Sequence, residues 1–362
     1  MKIPSILVAA PLVLGTPVDI ERRQQQPKYA QTPSLDQLQD GYFKATAGIM
    51  AANVPKMRIA KSVAETSTMK AAGAKKSSIW FGPITLLTEE QLQKAAAKTG
   101  GLGIKINANT NTMASTVSGF PSDVTILKAH TELKYEDGSP AQLSNGIENH
   151  HVTYSNLDKQ PQSPFACNVK AKDSSPSRIL SFAPLTGVGG NETSSGLYTT
   201  PDGAFPAGYY LGKDDKIMLS AELVNHANTT KDVYAVTEID YVPGQPAGYL
   251  DSGVVMFAMN QCDGWSMPSI RGWPGYNKFT IKGTPATAVM DGYMLLRRGR
   301  VHDGGTSITL RVNGRTVCDS QAVYGQAGTG VSNMTQCTDP MKIIRGDQME
   351  VEAYFDLDKH PA

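Results

Sequence analysis

A mainly β chain is predicted, with two antiparallel jelly-roll-like β-sandwich domains behind a short, partly helical N-terminal region. Three observations predict it. Apolar and polar residues alternate with period two in many short runs after residue 120. Helical periodicity is nearly absent over the same stretch. The chain also carries 34 glycines and 22 prolines, many of them punctuating those runs, as sandwiches built from short strands require. The boundaries read as a signal peptide over 1–15, an N-terminal region that is partly helical or mobile over 16–115, a first sandwich over 116–248 and a second over 249–362.

The elements justify themselves in order. Lys2 precedes an apolar run from Ile3 to Leu14, and Gly15 follows it. One positive charge, about a dozen apolar residues and a small residue describe a secretory signal, too short to span a bilayer. Helix starts are expected at Ser34 with Gln37, and at Thr88 with Gln91, each a capping-box spacing. The second has a glycine stop at Gly100-Gly101. Between them Lys56 to Lys76 is rich in Lys, Ala, Ser and Thr, which reads as a solvated or mobile segment. Strands are then expected at Val124–Tyr135, Ile217–His226, Val233–Val242 and Met349–Phe355. In the second of these Ile217, Leu219, Ala221 and Leu223 share one face, and Met218, Ser220, Glu222, Val224 and His226 the other. Thr306 to Val317 reads as a hairpin turning at Asn313-Gly314. Pro243 to Gly248 is the expected domain boundary.

Hydrophobic residues make up 40% of the chain, charged residues 19%, and the net charge is +1. That is a globular balance with no electrostatic footprint for nucleic acid. No later stretch reaches the ~18 apolar residues of a membrane span. The four cysteines, Cys167, Cys262, Cys318 and Cys337, suggest two disulfides. Of three connectivities, Cys318–Cys337 with Cys167–Cys262 is preferred, because the first closes a short local loop. Sequons at Asn191, Asn228 and Asn333 agree with a secreted, extracellular or cell-wall glycoprotein.

Serine-hydrolase, zinc-protease and P-loop motifs are missing, and Gly101-Leu-Gly103 lacks the third glycine of a dinucleotide loop. The six histidines carry the remaining chemistry. His150 and His151 are adjacent, so on a regular strand they would face opposite ways. They meet one metal only where the backbone leaves strand geometry. With His226 at a strand end they make a three-imidazole set suited to copper or zinc. His302 lies before the hairpin, and Met334 lies in a loop that a Cys318–Cys337 bridge would hold beside it. Imidazole plus thioether favours Cu(I). His130 and His360 read as structural. Trp265 and Trp273 could stack on a cell-wall glycan or fill a core.

The His150-His151 pair, Leu-Val-Asn-His226, Gly299-x-x-His302-Asp-Gly-Gly and the late Met334 resemble the copper type II, ascorbate-dependent monooxygenases, the peptidylglycine α-hydroxylating type among them. The segments around Gly299 to Leu310, Val317-Cys-Asp-Ser and Tyr354 to Pro361 are similar to plant and fungal secreted proteins of the stress-up-regulated nodulin type. The resemblance spans about residues 120 to 362. It implies two copper-bearing jelly rolls, with an electron-transfer copper at His150, His151 and His226. A second, oxygen-activating copper would use His302 and Met334. Arg300 stands where the family places another histidine, and a guanidinium has no lone pair to give. The expectation is therefore a copper-binding protein with a degraded second site. The alternatives are an active monooxygenase taking a small-molecule or peptide substrate, with ascorbate as reductant, and a metal-free glycan-binding module.

Overall fold

Strand β1 (Lys56–Glu65) belongs to two pairings, and this sets the architecture. Its C-terminal part runs antiparallel to β2 (Lys75–Leu86), and its first residues, Lys56–Arg58, run parallel to β3 (Asn111–Ser118). The changeover falls between Arg58 and Ile59, and a register shift in the β2 ladder between Ile59 and Lys61 follows it at once, so the sheet turns a corner there. The computed structural model describes residues 56–98, 110–162, 164–167, 182–189, 196–255, 257, 259, 276–325 and 330–361.

After β2 come α1 (Glu89–Lys98), β3, β4 (Val124–Lys134), β5 (Ile147–Asn156), β6 (Phe165–Cys167), β7 (Ala183–Gly189) and β8 (Gly196–Leu197). They are followed by β9 (Ala207–Leu211), β10 (Ile217–Asn225), β11 (Lys231–Pro243) and β12 (Leu250–Asp251). All but β6 join one sheet, in the order β12-β9-β4-β11-β2-β1-β3-β10-β5-β7, with β8 on β4. The corner at β1 lets the two wings face each other. Ile79, Phe81, Ile126 and Ile239 of one wing share a core with Val152, Tyr154, Leu219 and Ala221 of the other. This is a β-sandwich.

The second half supplies β13 (Lys278–Lys282), β14 (Ala286–Ala288), β15 (Gly292–Met294), β16 (Arg297–Arg298), β17 (Gly305–Val312), β18 (Arg315–Tyr324), β19 (Val331–Met334), β20 (Gln336–Cys337), β21 (Met341–Ile343) and β22 (Gln348–Asp356). The order is β19-β18-β17-β22-β14-β6, with β13 on β22, while β15–β21 and β16–β20 form two-stranded ribbons. Strand β6, from the first half of the chain, thus closes the edge of the second sheet.

The expected strands appear at β4, β10, β11 and β22, and Asn313 and Gly314 both take positive φ in the hairpin turn between β17 and β18. The Thr88–Gln91 capping box forms reciprocally: the Thr88 amide donates to Gln91 Oε1 at 2.9 Å and the Gln91 amide to Thr88 Oγ1 at 3.3 Å. Lys56 to Lys76, expected as a solvated or mobile segment, carries β1 and the start of β2, and β1 is exposed along most of its length. Around Pro243 to Gly248 the chain stays in touch with the first sheet: the Gly244 amide donates to the Asp123 carbonyl, and β12 pairs with β9. The Ser34 helix start, the signal segment, the glycine stop, Asn191, Trp265 and Trp273 lie outside the described residues. No helix among the described residues is long and apolar enough to cross a membrane. Cys318 and Cys337 are bridged. Cys167 is in a disulfide as well, and Cys262, its expected partner, lies outside the described residues.

One ion pair in the second sheet makes stability depend on acid. Lys282 Nζ lies 2.7 Å from Glu352, and the Tyr354 hydroxyl donates to the same carboxylate at 2.6 Å. The lysine contact, then the tyrosine, hold Glu352 down to about 2. A carboxylate depressed on folding stabilises fully above its unfolded pKa and loses that contribution as pH falls through the folded value. A shift of this size corresponds to roughly 3 kcal/mol. Lys282 is largely exposed, so screening leaves about 1–2 kcal/mol. Urea midpoints for Glu352→Gln should accordingly fall below wild type at pH 7 and converge with it near pH 2. A constant gap across that range would refute the linkage.

Candidate metal centre

Strand β5 presents its side chains in an irregular rhythm. Ile147, Asn149, Val152 and Tyr154 are buried, and His150 and His151 between them are both half-buried. The pairing with β10 explains the doublet. Glu222 opposes His151 and Leu223 opposes Asn149, so His150 is the extra residue of a β-bulge. A bulge places two successive side chains on one face. This is the departure from strand geometry that two adjacent imidazoles need in order to meet one ion. Both point away from the sandwich core, as does Glu222 between the inward-facing Ala221 and Leu223.

The three side chains converge. His150 Nδ1 lies 2.9 Å from Glu222 Oε2, and His151 Nδ1 lies 3.5 Å from the same oxygen. One ligand atom from each of His150, His151 and Glu222 falls within 4.8 Å of the other two. Burial holds the His151 pKa below its ordinary value against the opposing pull of Glu222, with the charges of His150 and Arg300 adding to the lowering. A ring that stays neutral keeps its lone pair for a metal.

His226 does not join this group. It is exposed, its Nε2 lies 2.8 Å from Glu148 Oε2, and its amide donates to the Gly146 carbonyl. Glu148 stands beside His150 on the outer face of β5, so His226 occupies the neighbouring row. The donor that replaces it in the cluster, Glu222, was visible in the sequence alternation, on the same strand face as His226. Only the register of β10 against the bulge identifies it.

The second sheet reaches this cluster through the loop between β16 and β17. Arg300 Nη2 donates to the His150 carbonyl at 3.4 Å. His302 remains open to solvent, yet its ring is crowded enough that burial, then the charges of Arg300 and His150, lower its pKa. The His302 carbonyl accepts from the Gly305 amide, closing the tight turn at Asp303-Gly304, and Asp303 Oδ1 accepts from the Val331 amide. Gly299 packs this loop against β17: a Cβ there would stand 2.7 Å from the Ile308 Cβ. Met334 is buried on β19, paired with Ala322 of β18. Neither His302 nor Met334 belongs to the three-donor group. His360 stacks on Tyr324 with ring centroids 3.4 Å apart, and His130 lies within β4 opposite Glu238.

No protein-family model matches the chain. It is 22% identical over 242 residues to a protein named probable copper-dependent oxygenase M1 from Phoma sp., matching 66% of this chain and 58% of that protein. It is also 22% identical over 233 residues to probable copper-dependent oxygenase clz3 from Cochliobolus lunatus, matching 63% of this chain and 70% of that one. The chain is thus a distant relative of proteins named as copper-dependent oxygenases, and the match spans less than two thirds of the first relative's length. The donor set fits such a metal. Two imidazoles and one carboxylate, gathered on a rigid strand pair and largely shielded from bulk water, suit Cu(II) and other borderline divalent ions.

Proposed function

We propose that this chain is a copper-binding, monooxygenase-like protein, secreted and glycosylated, with one metal centre at His150, His151 and Glu222 and a degraded second site at His302 and Met334. The observation that carries the reading is the β5 bulge, which turns two consecutive imidazoles toward one carboxylate. The copper-dependent oxygenase names of the two relatives support the choice of metal.

Copper, when bound, supplies one-electron chemistry toward oxygen. The chain's own residues do the rest. The β5–β10 ladder fixes where the two rings stand. Glu222 orients the imidazoles and adds negative charge, which favours the cation. Arg300 cannot ligate; it ties the β16–β17 loop to the backbone of His150 and brings positive charge to the rim. His302 lines the same rim from the second sheet. A small-molecule substrate would approach along this rim, with an external reductant such as ascorbate supplying electrons.

The test is a titration of metal-free protein with Cu(II), with bound metal counted by elemental analysis and the spin signal recorded. One copper per chain with nitrogen coupling is expected. Two per chain would overturn the degraded second site, and none would overturn the metal centre.

A further inference from the structure

The second sheet carries a groove that the metal centre does not use. It is a shallow depression, wide open to solvent, of about 440 Å³ on the polar face of β17, β18 and β22. Two β-bulges frame it. In β17 Gly305 opposes Phe355 and Ser307 opposes Tyr354, so Thr306 is an extra residue. In β18 Leu310 opposes Cys318 and Arg311 opposes Thr316, so Val317 is extra. Bulges bend and twist a sheet, and here they leave a hollow between them.

The lining is made of hydrogen-bonding groups held in place by one another. Arg311 Nη1 donates to Thr316 Oγ1 at 3.0 Å, and Thr309 Oγ1 donates to Asp319 at 3.1 Å. The Tyr354 hydroxyl is anchored on Glu352, which also faces Lys282 and Arg311. The charges of the lining balance, Arg311 against Asp319, and the Lys282–Glu352 pair beside it is neutral as well. A balanced site gives no net attraction for an anion or a cation. Serine, threonine and tyrosine hydroxyls both donate and accept, matching a ligand whose groups do the same. The Tyr354 ring adds a flat apolar face with a polar tip.

We infer that this groove binds a neutral saccharide, one or two sugar units of a polysaccharide or glycan. The sugar hydroxyls meet Arg311, Asp319 and the Thr309 and Thr316 hydroxyls, and one sugar face rests against Tyr354. The inference is independent of the metal centre and makes no use of Trp265 or Trp273.

Binding is tested calorimetrically on the metal-free full chain with cellohexaose, laminarihexaose, chitohexaose and mannohexaose, and with inorganic phosphate as the anionic control. Saturable binding of at least one hexasaccharide is expected, with phosphate silent. Asp319→Ala and Thr316→Val change exposed side chains, so the fold tolerates them. Each should weaken binding about fivefold to tenfold, as loss of a hydrogen bond to a ligand does. Retention of the wild-type urea midpoint confirms that the variants are folded. Absence of binding to all four sugars, binding unchanged in both variants, or binding of phosphate instead would each overturn the inference. Copper stoichiometry in the same preparations reports separately on the metal centre.

Discussion

Alanine at His150 or at His151 is expected to lower copper affinity by at least about a hundredfold. Loss of a residue that merely orients a ligand costs roughly 10–100-fold, and removing the ligand itself costs more. Glu222→Gln keeps the shape and one acceptor oxygen but removes the charge; a loss of about 10–100-fold is expected if Glu222 acts on the metal or its imidazoles. His226→Ala is the contrasting case. Its ring is exposed and paired with Glu148 outside the three-donor group, so affinity should change by less than about threefold, in line with the small worth of an exposed ion pair. Competition with a copper chelator at pH 7 measures all four. Should His226→Ala lose affinity as severely as His151→Ala, the metal-loaded site would be three imidazoles, and the carboxylate assignment would fail.

Tyr154→Ala should produce the largest loss of stability, about 3–5 kcal/mol. The side chain is fully buried between the wings of the first sandwich, with ring centroids 5.8 Å from Phe81 and 5.3 Å from Phe120. Emptying an aromatic site of this kind costs about that much. The hydroxyl accepts from Thr237 Oγ1 at 3.0 Å, and burial pushes the phenol pKa up, so the group stays neutral. Tyr154→Phe keeps the ring and leaves Thr237 with Thr131 as a nearby hydroxyl; about 1 kcal/mol is expected. Equilibrium urea unfolding distinguishes the two. If Tyr154→Ala cost no more than Tyr154→Phe, the contact across the wings would not be what holds them together.

Apolar-polar alternation located β4, β10 and β22, and burial follows it along β4 from Leu127 to Lys134 and along β10 from Leu219 to Asn225; β11 was expected as a strand too, yet it buries Ala235, Val236 and Thr237 in succession. The same rule failed at β1, whose side chains are mostly exposed and carry no burial signal. His150-His151 was legible as a pair that needed irregular backbone, and the bulge supplies that irregularity. Glu222 was not legible as a partner, since a register between strands about seventy residues apart is set by turns and packing that the local sequence does not encode. The proximity of His302 to His150 was hidden for a related reason: it depends on how the β16–β17 loop of the second sheet meets the face of the first.

Strand β6 has a consequence for anyone dividing this chain. Phe165–Cys167 pairs with Ala286–Ala288, and Phe165 meets Phe257 edge-on. A fragment expressed from residue 249 onward would surrender its outermost strand and leave β14 with a bare row of amides and carbonyls, the kind of ledge on which chains recruit one another into aggregates. Supplying residues 164–167 as a tethered peptide would restore the missing rung. The two halves are stitched together by their hydrogen-bond ladder, and crystallisation or delivery as separate modules should respect that seam.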